Sequence, residues 1–506
     1  MTNEEFGWLV ARLDTQAANA PRAFRLKVLF ISVAAYVALF LALLAILLLF
    51  SWAVVHARTH GPSRIAFAAC ALGLVTLPVF WVTLRTMLMR LPPPEGREIA
   101  RREAPVLFDL LDKMRAKFDG PPIHHVLIDR DYNACIAQRP RWGLVGPSVN
   151  YLVVGLPFMF GQSTSEMLAI VAHEYGHICG AHGRTGAWIY RQRLLFAEVL
   201  ARVESTVEAS FAHMLMARAL HAFFPYFSAY TFVLSRQNEY EADQASVRMA
   251  GAPAAASSLI RSSLLGDWFH RDFWSTLYRQ ADTRERPAFL PYKAMGTAFR
   301  MSHDEWASGD CLQAAWRRDS NADDTHPCLR DRVEALGQPA AVPQPVQRSA
   351  AATLLGAFGE QLAEEFDAAW WKEQASAWGE RHRHATRSLA RLRELNGAAL
   401  AVLPLHELQE MALLKAEFET PQAAKPVLEH LLRQPGGPFP RASYVYGRIL
   451  LGEQRREGLA HLETAARSDR HLVDDALRAG FAWLHAREGE PVALQWVDAV
   501  LEARPA

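Results

Sequence analysis

The hydrophobic and polar positions divide the chain into three parts. Two long apolar stretches without charged residues, at 28–55 and 65–84, lie near the start. Between about 103 and 178, short segments with helical and strand-like periods follow one another. Beyond residue 338 the pattern is helical almost throughout. This arrangement predicts a mainly α protein with a small sheet near the middle of the chain.

Each of the two apolar stretches is long enough to cross a membrane. A hydrocarbon layer about 30 Å thick is spanned by roughly 20 helical residues. Basic residues are frequent on both outer flanks, whereas the loop between the stretches holds only Arg58 and Arg64. The positive-inside rule then predicts two transmembrane helices with both termini in the cytoplasm. We expect an integral protein of a bacterial inner membrane, with the lipid bilayer as one partner.

The middle of the chain is predicted to combine a small sheet with helices. Residues 103–118 have an amphipathic helical pattern, and 125–128, 133–137 and 151–155 are typical of short strands. Ser163 and Glu166 fit a capping box at the start of a helix that ends near Gly180. Residues 188–250 are predicted to be largely helical, with a buried or interfacial helix pair at 214–234. Residues 266–322 are predicted to form a loop-rich insertion that could serve as a lid.

The C-terminal part is predicted to consist of helices arranged in pairs. A Pro- and Gln-rich linker at 338–347 precedes a long helix at 354–395. From 405 to 503, helix pairs recur about every 34 residues, the length of a tetratricopeptide repeat. An unspecialised helical bundle is the alternative. The predicted domains are therefore 1–92 with both spans, a central domain at 93–337, the linker and long helix at 338–400, and repeats at 401–506.

Composition and charge exclude some classes of function. The formal net charge is +1, so no overall field favours nucleic acid, which we exclude as a partner. The five cysteines are widely spaced, and none forms a Cys-x-x-Cys pair. This spacing indicates free thiols in a reducing compartment rather than a disulfide framework or a cysteine zinc knuckle.

The strongest candidate chemistry is a metal site on the predicted helix after Ser163. His173 and His177 are four residues apart, so their side chains lie on one helix face and can converge on one ion. Two imidazoles in a His-Glu-x-x-His pattern are typical of zinc. Glu174 lies beside them and is placed to accept a proton from a zinc-activated water rather than to bind the metal. A pair of surface histidines is the alternative interpretation.

The third ligand must come from elsewhere, because catalytic zinc usually takes three protein ligands. A metzincin would carry a histidine at position 183, but Gly183 occupies it and the histidine is His182, so that class is excluded. Glu239, on a predicted second helix, is a better candidate. Asp243 follows four residues later on the same face and could orient a ligating histidine. Taken alone, such an acidic helix face is usually only solvated.

These motifs resemble those of the HtpX and CAAX-prenyl-protease family of membrane zinc metallopeptidases, which has His-Glu-x-x-His followed by Glu-x-x-Ala-Asp. The resemblance covers about residues 95 to 337 and extends to Asn133-Ala134, to His182 and to Thr325-His326-Pro327 with Arg332. It implies a gluzincin-type α+β peptidase domain that binds one Zn²⁺ per chain, with Glu239 as the third ligand.

The resemblance also implies roles for residues outside the ligand set. Asn133 and Ala134 would lie on an edge strand that faces the substrate, and His326 or Arg332 would donate to the oxyanion. His326 could alternatively cap the zinc in a resting state, and a packing role in a helix-entry turn is the other interpretation of both residues. Cys135 stands where the family commonly has an aromatic residue, and the repeat-like tail lies outside the family core.

We therefore expect a membrane-anchored zinc metalloendopeptidase with Glu174 as general base. Its substrates would be membrane-associated or misfolded proteins and peptides, and two predicted spans are too few to favour a prenylated substrate. The C-terminal repeats would bind protein partners. The alternatives are a membrane-tethered scaffold or chaperone that acts through those repeats, and a zinc hydrolase of another kind.

Overall fold

A computed structural model describes residues 3–61, 92–142, 145–179, 211–319 and 326–503, together with residues 64 and 67. Most of the predicted span at 65–84, the segment that contains His182, and Thr325 lie outside these residues. The chain divides into two compact units. The first comprises Met1–Trp274 and Phe289–Trp371, and the second comprises Ser275–Ala288 and Lys372–Ala506. The predicted domain boundaries at 92, 337 and 400 remain a prediction.

Two helices open the first unit: α1 (Asn3–Asn19) and α2 (Pro21–His60). The predicted span at 28–55 lies within α2. Among the helices of the described residues, none is long and apolar enough to cross a membrane. The described helices therefore do not support the predicted span at 28–55, and most of the predicted span at 65–84 lies outside the described residues.

A four-stranded sheet follows, with helix α3 (Pro105–Phe118) inserted after its first strand. The strands are β1 (Arg97–Glu98), β2 (His125–Asp129), β3 (Ala134–Trp142) and β4 (Val145–Gly155), in the spatial order β1-β2-β4-β3. β2 and β4 are parallel, whereas the other two pairings are antiparallel. β3 therefore lies at an edge of the sheet. β3 and β4 are longer than predicted, because their pairing continues beyond Ala137 and Tyr151 as far as Trp142 and Val145.

Helix α4 (Leu156–Gly161) leads from the sheet to α5 (Thr164–Ile178), which carries the His-Glu-x-x-His motif. The predicted capping box is present: Ser163 accepts from the backbone of Glu166, whose side chain accepts from the backbone of Ser163. The next helix, α6 (Phe211–Ala250), is one continuous helix that contains Pro225. The predicted helix pair at 214–234 is therefore wrong. Pro225 cannot donate a backbone hydrogen bond, and the helix continues past it with Phe227 and Phe232 buried.

Helices also fill most of the described part of 266–322, so the prediction of a loop-rich insertion is wrong. They are α7 (Ala252–Trp268), a π-helical turn at Phe269–Phe273, α8 (Trp274–Arg279), α9 (Pro291–Met301), α10 (His303–Trp306) and α11 (Gly309–Trp316). These helices are mostly short and contribute aromatic side chains to one cluster. The ring centroids of Phe269, Phe273 and Phe299 lie 5.6–6.2 Å apart. Short helices of this kind do not show a sustained helical period in sequence.

A buried ion pair joins α7 to the start of α5. The Nε of Arg261 donates to Oε1 of Glu166 over 2.9 Å, and both side chains are at most 4% exposed. Nη2 of Arg261 also donates to the carbonyl of Gln344, in the extended segment between α12 (Leu329–Ala335) and α13 (Ala350–Leu354). The predicted linker at 338–347 is thus held against the helix core. Burial disfavours the carboxylate of Glu166, but Arg261 and the hydrogen bonds keep the pKa of Glu166 below its usual value.

The second unit is built from helices around the C-terminal part of α14 (Ala357–Asn396). Three helix pairs follow: α15 (Leu405–Phe418) with α16 (Pro421–Leu432), α17 (Pro440–Gly452) with α18 (Gly458–Ser468), and α19 (Val473–Glu488) with α20 (Glu490–Glu502). Gly447 lets two helices approach closely, because a Cβ there would lie 2.8 Å from the carbonyl oxygen of Gly458. The assignment of these pairs as tetratricopeptide repeats remains a prediction.

Arg261→Ala is expected to lower the free energy of unfolding by about 3–5 kcal/mol, because it leaves the carboxylate of Glu166 buried without its counter-ion. Urea denaturation followed by circular dichroism measures the change. Arg271→Ala is the matched control, since Arg271 is 68% exposed and its pair with Asp272 should contribute about 1 kcal/mol or less. Equal losses in the two variants would contradict the assigned role of the buried pair.

Candidate metal centre

Helices α5 and α6 cross at a point where the side chains are very small. A Cβ added to Gly176 would lie 2.9 Å from the Cβ of Ala245 and 3.1 Å from the Cα of Ala242. Next to this crossing, Oγ of Ser246 donates to the carbonyl of Ala169 over 2.7 Å. The two backbones therefore approach more closely than larger residues would allow, and α6 brings its acidic face to the histidines of α5.

The crossing places three side chains around one point. Nε2 of His173 and Nε2 of His177 are 3.2 Å apart. Oε1 of Glu239 lies 3.3 Å from Nε2 of His177, and Oε2 of Glu239 lies 3.4 Å from Nε2 of His173. Of the His, Cys, Asp and Glu side chains in the described residues, these three form the group that could hold a metal ion. They are the ligands predicted from the sequence.

The three side chains fit a zinc ion. Tetrahedral zinc with ligand bonds of about 2.0–2.2 Å separates neighbouring ligand atoms by roughly 3.3–3.5 Å, and the observed separations are close to this value. Oε2 of Glu239 is buried and makes no hydrogen bond, so it lacks the partner that a buried carboxylate oxygen normally has. Two imidazoles and one carboxylate are also a ligand set that zinc accepts.

Asp243 and Arg332 hold one of the histidines in orientation. Nδ1 of His173 donates to Oδ1 of Asp243 over 2.9 Å, which leaves Nε2 directed at the other two ligands. Arg332 donates hydrogen bonds to both oxygens of the same carboxylate, from Nη2 to Oδ1 over 2.6 Å and from Nε to Oδ2 over 2.9 Å. Nη1 of Arg332 also lies 3.7 Å from Oε2 of Glu239. A histidine held in this way by a carboxylate is a common arrangement behind metal ligands.

The electrostatics of the cluster favour a bound cation. Burial disfavours the charged form of His173, but Asp243 and Glu239 outweigh it and raise the pKa of His173 to about 9. Burial opposes ionisation of Glu239 and Asp243 as well, yet their cationic neighbours hold the pKa of each carboxyl below its usual value. Both carboxylates are therefore ionised next to two imidazoles, and a metal cation at the imidazole nitrogens would satisfy the same negative charge.

A cavity of about 150 Å³ opens beside these ligands. Glu174, Asn133 and Ala134 line it together with His173, His326 and Arg332. Ala134 begins edge strand β3 and pairs with Val154, while the carbonyl of Asn133 accepts from the backbone of Gly155 over 2.8 Å. The structure therefore brings all the residues singled out in the sequence, except those it does not describe, to one location.

His326 and Arg332 differ in their exposure to solvent and in their contacts. His326 is 58% exposed, and its Nε2 lies 3.7 Å from Oε1 of Glu239. Arg332 is only 12% exposed and is engaged by Asp243. His326 can therefore meet a molecule in the cavity, whereas Arg332 mainly positions the side chains behind the ligands.

Several residues of the site had no clear signal in the sequence. Gly176 stands at a variable position of the His-Glu-x-x-His motif, so its role in helix packing is visible only in three dimensions. The wall of the cavity formed by α7, which includes Ser258, Leu259 and Ser262, was also missed. The run of small residues at the start of α7 was the one available hint that this helix packs closely.

Two histidines and a glutamate on one helix, with a carboxylate from a second helix beside them, form an arrangement typical of zinc metallopeptidases. Residues 124–340 match the family model of peptidase family M48, so this part of the chain is similar to that family. The resemblance predicted from the motifs is thereby confirmed over this segment. The match does not extend to the C-terminal helix pairs. No curated protein and no solved structure matches the chain.

Gly176→Ala is expected to weaken zinc binding by about tenfold or more and to destabilise the fold by about 1–3 kcal/mol, because the added methyl group forces α5 and α6 apart. Zinc affinity is measured by competition with a chromophoric chelator. Gly309→Ala is the control, since a Cβ there meets nothing within 4 Å. Unchanged zinc affinity in Gly176→Ala would show that the ligand geometry does not depend on this close contact.

Proposed function

We propose that the protein is a zinc-dependent metalloendopeptidase. The observation that carries this proposal is the spacing of the three ligand atoms of His173, His177 and Glu239, at 3.2–3.4 Å, beside a cavity that Glu174 lines. The match of residues 124–340 to the model of a metallopeptidase family supports it. The alternative of a scaffold without enzymatic activity is not favoured, because binding alone would need neither the ligand set nor Glu174.

Zinc in this position would act as a Lewis acid that polarises a peptide carbonyl and makes water more acidic. Glu174 faces the cavity from the same helix as two ligands. Its carboxylate accepts the proton of the attacking water and then delivers that proton to the leaving amine. His326 donates a hydrogen bond to the oxygen that becomes negative in the transition state. Arg332 and Asp243 keep the ring of His173 in place.

The edge strand β3 supports an extended peptide as the substrate. β3 is the last strand in the order β1-β2-β4-β3, so within this sheet it pairs with β4 along one edge only. An extended chain can add to such an edge through main-chain hydrogen bonds. Because Asn133 and Ala134 line the cavity at the start of this strand, such a chain would run past Glu174. This mode of binding requires a locally unfolded segment, in keeping with misfolded proteins as substrates.

The proposal includes attachment to a membrane. It is supported by the absence of charged residues from 28–55 and 65–84 and by large apolar side chains on α2 that are exposed. Phe30, Phe40 and Leu48 are 73%, 65% and 61% exposed. Exposed apolar surface of this kind typically contacts lipid or another protein. The distribution of basic residues favours a cytoplasmic location for the peptidase part and both termini.

Glu174→Gln is expected to retain one zinc per chain and to lose proteolysis by about 10²–10⁴-fold, because glutamine cannot accept the proton of water. Zinc content is measured by inductively coupled plasma mass spectrometry, and activity by cleavage of an unfolded casein. Glu241→Gln is the matched control, because Glu241 is 46% exposed and lies near the site without lining the cavity. Full activity of zinc-loaded Glu174→Gln would rule out the proposed general base.

Membrane attachment is tested by washing membranes that contain the full chain with alkaline carbonate. The protein is expected to remain with the lipid pellet, and a protease added to inside-out vesicles should remove its C-terminal helices. Release into the carbonate supernatant, or protection of the C-terminal helices in those vesicles, would contradict the proposed attachment or orientation.

A further inference from the structure

The cavity beside Glu174 has a second wall that the mechanism does not use. Helix α7 supplies Ala255, Ser258, Leu259 and Ser262 to this wall. Phe158 and Ile170 line the cavity as well. This part of the cavity therefore combines the large apolar side chains of Phe158 and Ile170 with Leu259 and small residues from α7.

The hydroxyl groups in the cavity are already engaged. Oγ of Ser258 donates to the carbonyl of Ala255 over 2.7 Å, and Oγ of Ser246 donates to the carbonyl of Ala169 over 2.7 Å. Oγ of Ser262 accepts from Nε2 of Gln162 over 3.1 Å. The hydrogens of the Ser258 and Ser246 hydroxyls are therefore already donated within the protein, whereas the contact at Ser262 uses that hydroxyl as an acceptor.

Among the residues that the structure describes, the charged groups that face the cavity lie on its metal side. They are His173, Glu174, Asp243, His326 and Arg332, of which Asp243 and Arg332 pair with each other. The α7 wall contributes no acidic or basic side chain to the cavity. An ammonium or carboxylate group that entered toward α7 would lose its hydration without gaining a counter-ion, which is unfavourable.

The size of the cavity limits the apolar side chains that can enter. Its volume is about 150 Å³, and an apolar protein cavity of about this volume holds one benzene molecule. An isobutyl or benzyl group therefore fills a cavity of this volume, and an indole is larger than either.

We propose that this cavity selects, next to the scissile bond, an uncharged apolar side chain between leucine and phenylalanine in size. Leu259 limits the size of that side chain, and the uncharged Ser262 excludes basic ones. The inference rests on the proposed function and adds to it the class of peptide bond that the site accepts.

The test uses the zinc-loaded full chain and a set of peptides that differ only at the residues flanking one central bond. Leucine, phenylalanine, tryptophan, aspartate and lysine are placed there in turn, and cleavage is located by mass spectrometry. We expect kcat/KM for the leucine and phenylalanine peptides to exceed that for the aspartate and lysine peptides by about tenfold or more, the range in which apolar pockets discriminate. Equal rates across the set would overturn the inference.

Two substitutions on α7 should change the preference in different directions. Leu259→Ala enlarges the cavity and should raise the rate for the tryptophan peptide relative to leucine. Ser262→Asp places a carboxylate in the cavity and should raise the rate for lysine relative to leucine by about tenfold. Ser263→Asp is the matched control, because Ser263 does not line the cavity. The same change of preference in both aspartate variants would contradict a role for the cavity.

Peptide binding to Glu174→Gln separates this inference from the proposed function. Fluorescence anisotropy measures affinity without turnover, and we expect the same order, with leucine and phenylalanine peptides bound more tightly than charged ones. If this order holds but the wild type cleaves nothing, the proposed function fails and the cavity retains its selectivity. If the wild type cleaves all peptides equally and binding shows no preference, the selectivity is refuted while the peptidase function stands.

Discussion

The close contact between α5 and α6 is the constraint on which the site depends. Two histidines one helical turn apart form only part of a metal site, and the third ligand must reach them from another element. Gly176 faces Ala242 and Ala245 at distances that leave no room for a Cβ unless the helices shift, and this contact lets Glu239 meet both imidazoles. The positions of the three candidate ligands therefore depend on the small residues at the helix crossing. The buried Arg261–Glu166 pair fixes the other end of α5.

The same crossing also determines the electrostatics. Asp243 lies one turn beyond Glu239 on α6, so the approach of the helices that brings the ligand also brings the carboxylate that orients His173. Arg332 partly neutralises this second carboxylate from α12 and so lets two ionised carboxylates share a buried site. A dication at the imidazole nitrogens would complete the balance of charge, which explains why the arrangement suits a metal ion better than a structural ion pair.

Local sequence signals predicted much of this centre. The capping box of Ser163 and Glu166, the spacing of the histidines and the positions of β2 and α3 follow from patterns within a few residues of one another. The family match confirms the resemblance that those motifs carried. The helices of the 266–322 region were missed because each is short and its aromatic residues pack together across distant segments. The wall of α7 could not be predicted, since which face of a helix lines a cavity depends on tertiary packing.

The most direct test of this account is X-ray absorption at the zinc edge of the purified full-length protein. It should show one zinc with two imidazole nitrogens and further oxygen ligands at about 2.0–2.2 Å, and no sulfur. Cys179 lies two residues after His177, so a spectrum without sulfur would show that this nearby thiol is not a zinc ligand. Loss of zinc from a His173→Ala, His177→Ala variant would complete the assignment. A spectrum with sulfur ligands near about 2.3 Å, or a protein that binds no zinc, would contradict the His173–His177–Glu239 site.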